Sequence, residues 1–315
     1  MDWTSAQLRS LVELTRRGTV TAVAEALGYT PGGVSQQIAA LERATGVELL
    51  RRAGRRVELT DAGRTLAAHA ERMLATGTEA VEALERERGE VAGVLRVGLF
   101  ATAAAEILPQ ALRRVRTLHP RLDVHSRDMD VDEVYDAVAG GGVDLALGLD
   151  YPDVPIPRDP ALTLTRLHRE RFALAVPHGA LPEHRSVALA ATRELGWILP
   201  AVDSYYGRAV RTACRRAGLE PDVRHVVTDT AATLALVEAG IGVTTVTGLM
   251  LRLRASRFDV RRLRETVERH VVVVTRTTAR DRPSVAAFVE VLREGAEPAS
   301  EPAVSELSGP AAPEM

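Results

Sequence analysis

Residues 29–45 read YTPGGVSQQIAALERAT. From Val34 onward the apolar residues Val34, Ile38 and Leu41 recur at the i, i+4, i+7 spacing of one helix face. Thr30 is placed to cap this helix, and Pro31 stands at its first position, where a missing N–H costs nothing. Gly32 and Gly33 follow at once, each roughly 1 kcal/mol worse in a helix than alanine. Either the first turn simply tolerates glycine, or the missing side chains let another backbone come close.

Reading outward, SAQLRSLVELTRR (5–17) predicts a helix with Leu8, Leu11, Val12 and Thr15 on one side, ending at Gly18. Thr19 caps a second helix, in which Ala22, Val23, Ala26 and Leu27 face inward until Gly28 stops it. With the tight Gly28-Tyr29 turn, helices two and three form a helix-turn-helix. On the other side, GVELLRRAGRRVELT reads as two short strands around a Gly54 turn loaded with arginine, the layout of a wing. A purely structural three-helix bundle is the competing reading of this segment.

Charge separates the ends of the chain. The formal net charge is only −2, but Arg43, Arg51, Arg52, Arg55, Arg56 and Arg64 crowd residues 43–64, whereas residues 294–315 carry acids and no base. The sequence contains no lysine, so every fixed cation is an arginine, whose planar fork can grip phosphate with two bonds. A GC-rich coding bias accounts for that equally well.

Composition limits the function classes. With 315 residues, 46% of them hydrophobic, the chain can bury more than one core. MDWTSAQLRS lacks the basic and apolar regions of an export signal, and no run of eighteen apolar residues occurs, so a cytoplasmic protein with no membrane partner is expected. The single Cys214 excludes an internal disulfide or a cysteine-cluster metal site. The histidines show no metal-ligand spacing, GxSxG is absent, and GGGVDLALG lacks the Lys and Ser/Thr of a phosphate loop. No catalytic residue, metal or cofactor is expected.

Residues 61–88 are rich in alanine, free of proline, and place Leu66, Ala70, Met73, Leu74, Val81 and Leu84 at roughly heptad spacing. That predicts one long amphipathic helix with a weak point at Gly77, packed either on a partner's copy or on its own domain. From Val91 strands alternate with helices: VLRVGLF, RLDVHSRD and VDLALGLD are strands of a parallel α/β subdomain, with AEILPQALRRVRTLHP and VDEVYDAVAG as helices between them. A second subdomain follows, with RFALAVP, WILP, VRHVVT and GIGVTTV as strands; HVVVVTRT and SVAAFVEVLREG close the pattern. Trp197 and Phe100 are expected in the core, and Asp144 in the turn before its strand. Residues 295–315 have the composition of a disordered acidic tail.

Through GTVTAVAEALGYTPGGVSQQIAALERATGVELLRRAGRRVELTDAG the chain resembles the LysR-type bacterial transcriptional regulators, and the similarity continues to its end. The resemblance implies an α+β multidomain protein: a winged helix-turn-helix (1–60), a linker and dimerisation helix (61–89), and a two-subdomain α/β effector domain similar to periplasmic binding proteins (90–294). In it, subdomain I spans about 90–164 and 268–294 and subdomain II about 165–267, joined by strands crossing near residues 165 and 268. By the same resemblance Thr30, Pro31, Gly32, Gly33, Ser35, Gln36 and Gln37 would face the DNA major groove, where a glutamine can pair bidentately with adenine. Arg51, Arg52, Arg55 and Arg56 would serve the wing. Family members more often carry Pro and Ala at the Gly32-Gly33 position.

The resemblance also places a small-molecule effector between the subdomains, in contact with Ala101, Thr102, Gly148, Ser204, Tyr205, Thr228 and Thr247. Thr102 and the helix N–H groups beside it could hold an anionic effector, although a bare helix cap would need no ligand. Thr247 replaces a proline common in the family. The implied partners are double-stranded promoter DNA, an effector and a second or further copies in a homodimer or homotetramer, with RNA polymerase an open possibility. Such a protein would be cytoplasmic and nucleoid-associated when bound to DNA. The alternative is a cytoplasmic solute-binding protein or enzyme that shares the α/β module.

Overall fold

The structure, a computed structural model of the chain, describes residues 3–53, 56–156, 159–182, 186–253 and 257–295; for residues 52, 53, 56, 78, 79, 81, 82, 85, 86 and 88 it describes the backbone only. The chain divides into two compact units, with the boundary after Arg88.

In the first unit, helices α1 (Ser5–Arg17), α2 (Val20–Leu27) and α3 (Pro31–Thr45) each begin at a threonine cap. Thr4 shares a reciprocal capping box with Gln7, Thr19 accepts the Ala22 N–H at 3.2 Å, and Thr30 accepts that of Gly33 at 3.0 Å. Gly28, at φ 67°, makes the left-handed turn between α2 and α3 that a side chain would resist. The expected face of α3 is buried, with Val34, Ile38 and Leu41 at most 1% exposed. Ile38 and Leu41 pack with Leu8, Leu11 and Val12 of α1, and Val34 packs with Leu14, Val23 and Ala24. Two assignments change. Thr15 is exposed and returns its hydroxyl to the Leu11 carbonyl at 3.2 Å, while Leu14 takes the inward position; in α2, Ala24 is buried and Ala22 is not.

Strands β1 (Leu50–Ala53) and β2 (Arg56–Leu59) pair antiparallel as the wing. The Glu42 carboxylate accepts the N–H groups of Leu49 and Leu50, at 2.9 and 3.1 Å, which ties the end of α3 to the start of β1. Thr60 donates to the Glu48 carbonyl at 2.8 Å and accepts the Gly63 N–H at 3.0 Å, setting the wing against the start of helix α4 (Asp61–Arg88). Gly63 is required here, since a Cβ would lie 2.2 Å from the Leu49 carbonyl oxygen. Helix α4 runs 28 residues without a break at Gly77. Ala67 and Ala70 reach the core of this unit, but Thr76, Gly77, Ala80, Ala83, Leu84 and Glu87 are exposed, Leu84 at 62%.

The second unit has two lobes. Lobe I holds strands β3 (Gly93–Leu99), β4 (Leu122–Asp128), β5 (Leu145–Asp150), β6 (Leu162–Arg171) and β13 (Glu268–Arg276), in the order β4-β3-β5-β13-β6. Helices α5 (Ala101–Glu106), α6 (Leu108–Leu118), α7 (Val134–Ala139) and α11 (Pro283–Gly295) belong with it. Lobe II holds β7 (Ala173–Val176), β8 (Ser186–Val187), β9 (Trp197–Leu199), β10 (Val223–Val226), β11 (Thr244–Val246) and β12 (Asp259–Leu263). Its helices are α8 (Tyr205–Arg216), α9 (Thr230–Glu238) and α10 (Gly248–Arg252).

The sheets are not purely parallel. In lobe I, β3 pairs parallel with β4 and β5, but β13 runs antiparallel to both β5 and β6. In lobe II, β7 lies antiparallel between β11 and β12, and the parallel pairs are β9 with β10 and β12 with β8. The reason is topological: β6 carries the chain out of lobe I and β13 brings it back, so the two neighbours must run in opposite directions. The crossings lie at Phe172, between β6 and β7, and between Leu263 and Glu268.

The helix expected at 105–120 is two helices that meet at Ile107, because Pro109 has no N–H to continue the ladder. Trp197 and Phe100 are core residues, 0% and 5% exposed. Asp144 does more than serve a turn: its buried carboxylate accepts the Arg96 N–H at 2.7 Å and pairs with Arg96 and Arg282 at 3.2 and 3.1 Å. The acidic tail, residues 296–315, lies outside the described residues.

Two glycines of α4 provide a contrast. Gly63→Ala drives a Cβ into backbone and is expected to lower the stability of the first unit by about 2 kcal/mol or more. Gly77→Ala meets nothing within 4 Å and is expected to stabilise by up to ~1 kcal/mol. Thermal unfolding of both variants checks the pair, and equal effects would contradict the Thr60–Gly63 junction.

Candidate functional site

The first unit presents the start of α3. Pro31, Gly32, Ser35 and Gln36 are exposed and Gln37 is half-buried. Thr30 is engaged as the cap, and the Ser35 hydroxyl donates to the Pro31 carbonyl at 3.0 Å. Gln36 is therefore the exposed long polar side chain of this turn. A Cβ on Gly32 would meet nothing within 4 Å, and one on Gly33 would approach Thr30 Oγ1 at 3.2 Å, so packing inside the chain does not demand glycine at position 32. In the wing, Arg51 faces Glu58 across the strand pair, 3.0 Å away with both side chains exposed. Arg52 and Arg56 lie on the paired strands with only their backbones described, and Arg55 lies outside the described residues.

In the second unit the most heavily buried polar cluster sits where the chain crosses between lobes. Arg269 of β13, 3% exposed, pairs with Glu170 of β6 at 2.8 Å and donates to the Thr247 hydroxyl at 2.9 Å. Glu170 also accepts the Leu249 N–H at 2.9 Å, in the first turn of α10. Burial alone would raise the Glu170 pKa, but Arg269 and the Leu249 N–H outweigh it and hold the carboxyl below its ordinary value. Aromatic rings complete the joint. Tyr206 of α8 stacks on Phe172, with centroids 5.4 Å apart, and more distantly on Tyr151 at 6.5 Å, while its hydroxyl donates to the Thr245 carbonyl at 2.7 Å.

The expected effector residues divide by role. Thr102 is buried at the start of α5 and Ala101 beside it is exposed. That helix packs on α10 of the other lobe, where Glu106 pairs with Arg252 at 3.1 Å. Ser204 caps α8, accepting the Gly207 N–H at 3.0 Å and donating to the Ala201 carbonyl at 2.8 Å. The ring of Tyr205 lies under the Arg208 guanidinium at 4.1 Å, and its N–H donates to the Asp132 carboxylate from lobe I. Thr247 is committed to Arg269. Gly148 is buried in β5, where a Cβ would come within 3.2 Å of Val134 and 3.3 Å of Val274, so its place is set by packing. Thr228 is exposed after β10, next to Asp229, which caps α9. Thus Ser204 and Tyr205 come together at the α8 N-terminus, and Thr102 and Thr247 on two helices that pack together; Gly148 and Thr228 join neither group by any contact among the described residues.

Sequence reading missed Asp132, Glu170, Tyr206, Arg208 and Arg269. The signals were present: a run of acids, DMDVDE, directly after a strand, and charged pairs ER inside the long strands at 170–171 and 268–269.

Residues 5–64 match the model of the bacterial regulatory helix-turn-helix protein, lysR family, and residues 88–297 match the LysR substrate binding domain. The chain belongs to the LysR family of bacterial transcriptional regulators. It is 31% identical over 293 residues to the HTH-type transcriptional regulator TdfR of Cupriavidus pinatubonensis, covering 92% of this chain and 97% of that one. It is 32% identical over 259 residues to a probable hydrogen peroxide-inducible genes activator of Streptomyces viridosporus, covering 80% of each. The structure of full-length CbnR complexed with its target DNA matches with a TM-score of 0.54 at 27% identity, over 93% of this chain and 100% of that one. As a LysR regulator the chain has a DNA-binding helix-turn-helix and an effector-binding α/β domain. No helix among the described residues is long and apolar enough to cross a membrane.

The buried charges set an acid limit. Burial would raise Asp144 too, but hydrogen bonds from Arg96 and the charges of Arg96 and Arg282 hold it low, as Arg269 does for Glu170. Both depressed carboxyls contribute stability that is complete above the unfolded value of about 4 and is lost as pH falls through their folded values. Urea midpoints of the chain are therefore expected to fall steeply below about pH 4. Glu170→Ala is expected to cost about 3–5 kcal/mol at pH 7 by stranding Arg269, and Glu170→Met with Arg269→Met should restore most of it. A single-variant loss under about 1 kcal/mol would show that the pair is not buried as described.

Proposed function

We propose that this LysR regulator is a cytoplasmic protein that binds double-stranded promoter DNA through α3 and the wing, and changes promoter activity when a small molecule occupies the cleft between its two lobes. The observation that carries this reading is the exposed first turn of α3, with Gln36 uncovered and the glycine at position 32 unexplained by packing. A helix N-terminus suits phosphate and base edges, and a bare backbone at Gly32 and Gly33 lets DNA approach closely. Gln36 and Gln37 read base edges, while Arg52, Arg55 and Arg56 contact phosphate; Arg51 does so after leaving Glu58. RNA polymerase is a further partner in this reading.

The exposed second half of α4 supports self-association. A helix face carrying Leu84 at 62% exposure gains cover by pairing with its copy, and two heads spaced by such a pair read a site with two-fold symmetry. A homodimer, or a homotetramer built from dimers, follows.

The effector lies against Ala101 and Thr102 on one lobe and Ser204 and Tyr205 on the other. An anion fits the α8 N-terminus, with Arg208 beside it. A peroxide response through an internal disulfide would need two cysteines; this chain has one, buried in α8, and burial pushes its thiol pKa up to about 12. A small-molecule ligand therefore accounts for the cleft better than thiol oxidation, and regulation accounts for the whole chain better than catalysis.

Footprinting on the DNA beside the protein's own gene, at two salt concentrations, tests the head. A protected, two-fold symmetric site that weakens with salt is expected. Gln36→Ala should cost about 1–3 kcal/mol of preference between operator sequences, and Arg55→Ala should weaken all sequences evenly with a smaller salt slope. Gly32→Ala should leave thermal stability intact and reduce DNA affinity; unchanged affinity would remove the close-approach role of that glycine. Thr102→Val should abolish the ligand response while DNA binding stays near normal, and a full response would take Thr102 out of the site.

A further inference from the structure

The strongest unassigned feature is a contact across the cleft. Asp132 stands on the rim of lobe I, in the loop between β4 and α7, and its position is set locally: its own N–H donates to the Asp130 carboxylate at 2.9 Å. Its carboxylate accepts the Tyr205 N–H at the first position of α8 in lobe II, under the charge of Arg208. The Ser204 hydroxyl answers a different donor of that turn, Gly207. The Tyr205 N–H is thus satisfied from the opposite lobe, by the kind of group that a free anion would present. Two ion pairs also cross the lobe boundary, Glu106 with Arg252 at 3.1 Å and Asp153 with Arg216.

We propose that Asp132 is a built-in occupant of the effector cleft: in the ligand-free chain its carboxylate seats on the N-terminus of α8 and holds the lobes together, and an anionic effector enters by displacing it. The inference rests on the reading of this cleft as the effector site. Three features make the occupant displaceable. Asp132 is exposed, so its bond competes with water and is weak. Asp130 and Asp203 lie near enough to oppose its charge. An anion bringing its own charge to Tyr205 N–H and Arg208 restores what α8 loses, while the freed Asp132 returns to solvent. Ligand binding then exchanges one lobe contact for another, and the affinity measured for any anion is reduced by the fraction of chains in which Asp132 holds the site.

Hydrogen exchange resolved at the Tyr205 amide, in the full chain without ligand, reads the contact directly. Asp132→Ala is expected to speed that exchange about tenfold, whereas Asp153→Asn, which breaks a different lobe pair, should leave it within about twofold. Binding of succinate, a small dicarboxylate probe, reads the competition: Asp132→Asn should bind it about tenfold more tightly than the unaltered chain. Retained DNA footprints in each variant exclude misfolding. Unchanged Tyr205 exchange in Asp132→Ala overturns the proposal. Faster exchange with equal or weaker succinate binding in Asp132→Asn, or with none in either form, overturns the competition. The cleft reading fails separately, if Thr102→Val leaves the response to the physiological effector intact while Tyr205 exchange still answers to Asp132.

Discussion

The second unit depends on one buried ion pair. Arg269 and Glu170 come from the two strands that carry the chain between lobes, and neither can be left alone in a low-dielectric interior without a penalty of several kcal/mol. Each also binds a group of lobe II: Arg269 the Thr247 hydroxyl, Glu170 the N–H of Leu249. The pair therefore fixes the register of β6 against β13 and the position of α10 in the same set of bonds. Its geometry also leaves the opposite ends of the lobes to weaker, exposed contacts, such as Glu106 with Arg252. Rigid at the crossing and lightly held at the mouth, the domain has the mechanical requirement of a ligand cleft: contacts that a small molecule can outbid lie away from those that hold the fold.

The first unit uses a different economy. Its stability comes from local devices: threonine caps, a left-handed turn at Gly28, and Glu42 and Thr60, which bind the wing and α4 to the ends of their neighbours. These devices satisfy backbone groups that would otherwise be orphaned where elements meet. The first turn of α3 stays free of them beyond its own cap, and the second half of α4 has no cover from its own unit. The two surfaces left unfinished are those through which a LysR regulator meets DNA and another copy of itself.

Helices α1, α2 and α3 were legible residue by residue because caps and stops act within four residues and leave their signature in the sequence: Thr4, Thr19 and Thr30 at one end, glycine at the other. The apolar face of α3 was legible because one helical period places Val34, Ile38 and Leu41 together. Thr15 was misassigned because a helix stripe is wide enough for either Leu14 or Thr15 to face in, and the packing of α3 chose Leu14. The strand directions were not legible, since alternation of strands and helices does not say which strand returns from the other lobe. Gly148 and Thr247 had a place in the site by resemblance, yet their surroundings give both of them work in the packing and the joint.

By itself the sequence determined the family, the winged head and the alternating α/β module, because these rest on short-range periodicity, capping and turn chemistry. Only the tertiary structure decided which polar groups meet. Glu170 and Arg269 stand 99 residues apart, and Asp132 and Tyr205 sit on different lobes. A charge carries no mark in the sequence of the partner that will neutralise it. That partner is chosen when long-range strand pairing brings two segments together and removes the water between them.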